Sequence, residues 1–141
     1  MTTLNSFAHQ QKSDAFYLDI AANDHGDEKG ALVHHAVTRL QTADPDLVEI
    51  GPGGGAAVRY LASRLTADSR ARLTLIEAPG VTSHSLGEAM EAFAAVGTCH
   101  LVQGWAKDLS TLITDPVDVI SASALMHEVY SYGVRTRGFT R

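Results

Sequence analysis

The sequence predicts an α/β domain: a parallel sheet of about four strands with helices on both faces, preceded by N-terminal helices. Three observations carry this. Short apolar runs, each closed by an acid, a glycine or a serine, alternate with stretches at helical spacing from about residue 46 to 132. Strand and helix in strict alternation imply parallel strands joined by right-handed crossovers. A glycine cluster, Gly51-Pro52-Gly53-Gly54-Gly55, stands between the first strand and the helix after it. Residues 1–45 read as a helical cap segment and 46–141 as the sheet domain.

The elements are expected in this order. Residues 9 to 22, with Ala15, Phe16, Leu18 and Ile20 among polar neighbours, read as a helix. Asn23-Asp24-His25-Gly26-Asp27 is a turn by composition. A second helix runs from about Glu28 to Gln41, with Leu32, His35, Val37 and Leu40 as its mixed apolar face, and Asp44-Pro45-Asp46 breaks it. Leu47-Val48-Glu49-Ile50 is the first strand, and Ala56 to about Leu65 the helix beyond the glycines. Arg72 to Glu77 is the second strand, closed by Ala78-Pro79-Gly80. A helix over about 82 to 95 places Leu86, Met90 and Phe93 on a core stripe. Thr98 to Gly104 carries the third strand. After Asp115-Pro116 comes a fourth, Val117 to Ser121, with a helix expected over Ser123 to Tyr130.

Composition narrows the function. At 141 residues, 45% hydrophobic and 19% charged, the chain has the make-up of one soluble domain. A net charge of −5 argues against a nucleic-acid surface. One cysteine excludes an internal disulfide and leaves no Cys pair to seed a zinc site. Cys99, within the third strand, reads as a small core residue. His34-His35 lacks the i, i+4 spacing of a helical metal pair, so no metal site is expected. The N-terminus lacks the basic start and apolar core of a signal peptide, and no apolar run approaches the ~18 residues of a membrane span. A cytoplasmic location and no membrane partner follow as expectations.

The glycine cluster carries the chemistry. Glycine permits φ > 0, and its missing Cβ lets a ligand approach the backbone. The N–H groups at the start of the following helix favour a carboxylate or phosphate. Gly51-x-Gly53-x-x-Ala56 fits a dinucleotide fingerprint, and a glycine-rich turn without a ligand is a third reading. Glu49-x-Gly51-x-Gly53-x-Gly55 fits another pattern and resembles motif I of the class I S-adenosylmethionine-dependent methyltransferases. The acid separates the two patterns. A pyrophosphate has no use for a carboxylate beside its cradle, whereas the ammonium of S-adenosylmethionine does. A second acid, Glu77, closes the next strand, at the distance past the loop (about 20 residues or slightly more) where a carboxylate commonly accepts from a ribose diol. It would also repel the 2′-phosphate of NADP.

The resemblance covers about residues 46 to 132 and implies a Rossmann-like fold with S-adenosylmethionine as cofactor. The residues placed around that cofactor are Glu49, Gly51, Pro52, Gly53, Gly54, Gly55, Glu77, Ala78, Gly104, Trp105, Ala106 and Ser121. In the family an acid just after a glycine often contacts the adenine amino group; Trp105 stands there, and either Trp105 stacks on the ring or Asp108 reaches it. The opening helices lie where the family puts a substrate lid, which makes Tyr17, His34 and His35 candidate pocket residues. His127, just beyond the fourth strand, is the candidate general base, because an imidazole takes a proton near neutrality. Ser121-Ala122-Ser123-Ala124 is not the Asn/Asp-Pro-Pro-Tyr of amino-methylating DNA enzymes, which with the acidic charge favours a small-molecule acceptor. The family continues through about three more strands. The expectation is therefore a truncated or split methyltransferase, whose fourth strand pairs with a second copy or a second chain. A non-catalytic cofactor-binding subunit and an NAD-binding oxidoreductase fragment are the alternatives.

Overall fold

The computed structural model describes residues 14–81 and 83–122, with side chains from residue 27 onward. Its centre is a four-stranded, all-parallel sheet in the order β3-β2-β1-β4, where β1 is Asp46–Ile50, β2 Ala71–Glu77, β3 Gly97–Gln103 and β4 Val119–Ser121. Helices α1 (Asp14–Arg39), α2 (Ala56–Arg64), α3 (His84–Phe93) and the single turn α4 (Leu109–Leu112) surround it. The expected Rossmann-like α/β architecture is the one observed.

Register divides the strand residues between two faces. Leu47, Leu73 and Cys99 are level neighbours, as are Glu49, Leu75 and Leu101. This first face forms the main core with Val58 and Leu61 of α2 and Leu86, Ala89 and Phe93 of α3. The Leu86–Met90–Phe93 stripe is there as expected, with Met90 only partly buried. The second face, Val48, Ile50 and Ile76, is covered by Ala106, Leu109, Leu112, Ile113 and Val117. Strands buried on both faces read as nearly continuous apolar runs, as β1 and β2 do.

The N-terminal region departs from expectation. The turn at Asn23 to Asp27 is absent, and a single 26-residue helix runs from Asp14 through Gly26 to Arg39. A glycine inside a helix costs about 1 kcal/mol relative to alanine, a weak preference that tertiary packing overrides. The packing in question is visible at Gly30, where a Cβ would lie 2.6 Å from Tyr60 Cβ. Glycine there lets α1 lie directly on α2. The apolar face also differs: Val33 and Val37, one helical turn apart, meet the core, while Leu32 is 69% exposed.

At the lower end of the sheet, polar groups set the strand starts. The Arg72 guanidinium donates to both Asp46 carboxylate oxygens at 2.6 Å. That hydrogen bond is the main reason the Asp46 carboxyl lies below its ordinary pKa. The Asp118 carboxylate accepts from the Asp46 N–H at 2.8 Å, and the Asp118 N–H donates to the Asp46 carbonyl. Asp118 thus ties β1 with both its side chain and its backbone, and β4 starts at Val119 rather than Val117. No helix among the described residues is long and apolar enough to cross a membrane.

Candidate functional site

The carboxyl ends of the strands bring the expected residues together. β1 runs into Gly51, whose N–H donates to the Ile76 carbonyl at 2.8 Å, so the chain leaves the sheet still joined to β2. Gly51, Gly53 and Gly55 all have positive φ, at 71°, 57° and 82°. Within the loop the Gly55 N–H donates to the Pro52 carbonyl. Gly55 precedes α2, where no side chain caps the helix and no acid occupies the first turn. The positive end of the helix dipole is therefore left to whatever binds. The Ser85 hydroxyl of α3 donates to the Gly54 carbonyl at 2.8 Å, anchoring the loop from the side. Pro52, Gly53, Gly54 and Gly55 are all buried.

Glu77 closes β2 and is only 8% exposed. One carboxylate oxygen accepts from the Gly53 N–H at 3.3 Å and the other from the Ala78 N–H at 2.9 Å. It is no solvent carboxylate at a strand end: it folds back over the glycine loop. The Gly104 N–H donates to the Glu77 carbonyl, which brings the end of β3 beside β2. Trp105 follows and is 53% exposed, so core packing does not account for it. The Asp108 N–H donates to the Trp105 carbonyl, closing a 3₁₀ turn over Ala106–Asp108, and Ala106 packs into the second face. Ser121 lies level with Glu49 across β4 and β1.

Glu49 is the other buried acid, also 8% exposed. Its carboxyl is raised from 4.5 to about 7, first by burial, with Lys29 opposing and Glu77 adding to the rise. Lys29, on α1, is a site neighbour that sequence reasoning missed; a lone lysine in a polar helical stretch carries no signal. Ser85 was missed for the same reason.

Several expectations fall elsewhere. His127 and the helix expected over Ser123 to Tyr130 lie outside the described residues, as does the side chain of Tyr17. His35 is exposed on α1 and His34 half-buried. Cys99 is half-buried against the main core, and burial, with the Glu49 charge, raises its thiol to about 11. That environment opposes the thiolate a nucleophile needs.

Two clefts lie away from the loop. One, of about 480 Å³, is lined by Arg70, Arg72, Val96 and Thr98 at the opposite end of the strands. The other crosses the second sheet face between Thr74, His100, Val102 and Pro116. Both lack the glycine loop and the buried acids, and open α/β sheets bind ligands beyond the carboxyl ends of their strands. The carboxyl ends of β1 and β2 around Gly51 to Gly55 are therefore the candidate site. Comparison of the chain with protein-family models, curated proteins and solved structures finds no match.

Proposed function

We propose that the chain binds S-adenosylmethionine at the carboxyl ends of β1 and β2 and belongs to a methyltransferase acting on a small-molecule acceptor. The observation that carries this reading is the pair of buried carboxylates, Glu49 and Glu77, on either side of a loop of three positive-φ glycines. A pyrophosphate would face two acids and lose by repulsion. A ligand with an ammonium, a carboxylate and a ribose finds a partner for each: Glu49, the uncapped start of α2, and Glu77.

Bound S-adenosylmethionine supplies an electrophilic methyl group on a sulfonium. The chain's residues hold and orient. Gly53 leaves room at the loop, Gly55 lets the loop lie against Ala89 and Leu86 of α3, Glu77 accepts from the ribose hydroxyls, and Trp105 offers a ring face beside Gly104. Positioning of this kind is worth roughly 7–11 kcal/mol of an activation barrier. His127 would take a proton from an acceptor that has one to lose. Among the described residues β4 is an edge strand, and that edge is where a second copy or second chain would join, since an unpaired strand edge is a template for association.

Isothermal titration with S-adenosylhomocysteine and with NAD tests the cofactor. Tight binding of S-adenosylhomocysteine and none of NAD is expected; the reverse order overturns the reading. Glu77→Ala should weaken S-adenosylhomocysteine by about 1.5–3 kcal/mol, the usual loss for a charged hydrogen-bond acceptor. Equal affinity would remove Glu77 from the ribose site.

A further inference from the structure

The glycine loop is pinned by a side chain from another element. The Pro52 carbonyl accepts from the Gly55 N–H at 3.0 Å, which closes a tight turn over Gly53 and Gly54. The Gly54 carbonyl and the Gly55 N–H belong to one planar peptide unit. That unit is held at both ends, by Pro52 at its N–H and by the Ser85 hydroxyl, at 2.8 Å, at its carbonyl. A glycine on each side of a peptide gives it the greatest backbone freedom. The Pro52 bond restrains it at one point, and Ser85, 31 residues further along the chain, supplies the second.

The start of α3 brings the hydroxyl there. Ser83 caps the helix, its side chain accepting from the Leu86 N–H at 3.2 Å, so Ser85 lies in the first turn. Leu86 and Ala89 are buried beside the loop. A Cβ at Gly55 would lie 2.8 Å from Ala89 Cβ and 3.0 Å from Leu86 Cδ1, so the absence of one lets α3 come close enough for Ser85 to reach Gly54. From α2, the Arg59 guanidinium donates to the Ser85 carbonyl at 3.5 Å and to the Glu88 carboxylate at 3.4 Å. Gly54 itself is buried, and a buried carbonyl that loses its donor loses more than the bond. The uncapped N–H groups of α2 begin at Ala56, directly after the pinned peptide, so its orientation sets where they point.

We propose that Ser85 is the positioning residue of the glycine loop: by fixing the Gly54–Gly55 peptide it sets the affinity for the carboxylate-bearing end of the cofactor. This rests on the cofactor reading above and adds the residue that keeps its carboxylate site in shape. Ser85 acts through the loop and not on the ligand. The nucleoside end meets Glu77 and Trp105, at the ends of β2 and β3, away from the peptide that Ser85 holds. Loss of the hydroxyl therefore weakens ligands that carry the amino-acid end and spares those that lack it.

The test compares the whole chain with its Ser85→Ala and Ser85→Thr variants. Calorimetric titration uses S-adenosylhomocysteine, which carries the amino-acid end, and methylthioadenosine, which has the nucleoside without it. Ser85→Ala should weaken S-adenosylhomocysteine about fivefold, the worth of one ordinary hydrogen bond, and leave methylthioadenosine unchanged. Ser85→Thr keeps the hydroxyl and should bind both probes as the parent does. Amide hydrogen exchange without ligand reads the loop directly. In Ser85→Ala the Gly55 amide should exchange about fivefold faster, while the Gly51 amide, bonded to the Ile76 carbonyl, keeps its rate. Equal weakening of both probes, unchanged affinity for S-adenosylhomocysteine, or a threonine variant as weak as the alanine one overturns the positioning role and leaves the cofactor reading standing. A parent protein that binds neither probe overturns the cofactor reading, and the Gly55 exchange rate still decides whether Ser85 fixes the loop.

Discussion

Replacing Glu49 with glutamine is expected to flatten the pH dependence of folding stability. The carboxyl sits near 7 in the folded protein, chiefly through burial, against its ordinary 4.5. In the unfolded chain the group is solvated and returns to that ordinary value. Between the two values the folded state binds more protons than the unfolded one, so stability falls as pH rises through that window and levels off above it. At about 1.4 kcal/mol per tenfold change in proton affinity, the ionised group makes the folded state less stable by about 3 kcal/mol at pH 8 than at pH 4.5. Domains of this size are stable by about 5–15 kcal/mol, so the effect is large. Glutamine keeps the shape and does not titrate. Urea unfolding from pH 4.5 to 8 measures this, followed by far-UV circular dichroism because Trp105 is too exposed for its fluorescence to report well. The variant should gain on the parent steadily across the window, by about 3 kcal/mol at pH 8. A gap that stays constant from pH 4.5 to 8 refutes the burial argument.

Three further outcomes are expected. Gly55→Ala should destabilise more than Gly80→Ala: both have φ near 80°, but a Cβ at Gly55 would lie 2.8 Å from Ala89 Cβ while Gly80 has nothing within 4 Å. Left-handed strain of about 1–2 kcal/mol applies to both and overpacking adds roughly 1–3 at Gly55 alone; equal losses in urea titrations would show that α2 and α3 can spread. Iodoacetamide should alkylate Cys99 at pH 8 about a hundredfold more slowly in the folded protein than in urea, because its thiol is raised to about 11; similar rates would place it in solvent. Light scattering over a concentration series should show association through the β4 edge, where Ile120 is 53% exposed. A constant monomer mass up to high concentration would mean the edge is covered within the chain.

The strand–glycine loop–helix unit was legible because its signals are local in sequence. A strand, a glycine run and a helix are contiguous from Asp46 to Arg64, and the positive φ values at Gly51, Gly53 and Gly55 are demands that glycine meets by lacking a Cβ. The parallel sheet was legible for a related reason: alternating periodicities admit few topologies once crossovers must be right-handed. The course of α1 was not legible, since Asn23 to Asp27 has turn composition. What carries the helix through is the meeting of Gly30 with Tyr60 and of Val33 and Val37 with the core, contacts between residues distant in sequence. The state of the acids was likewise decided in three dimensions. Glu49 and Glu77 look alike as strand-end carboxylates, and only packing gives one the N–H groups of Gly53 and Ala78 and leaves the other with a charge on Lys29. Sequence determines which residues arrive at the crevice, because backbone periodicity is local. Tertiary structure decides what each can do there, because desolvation and charge depend on every neighbour at once.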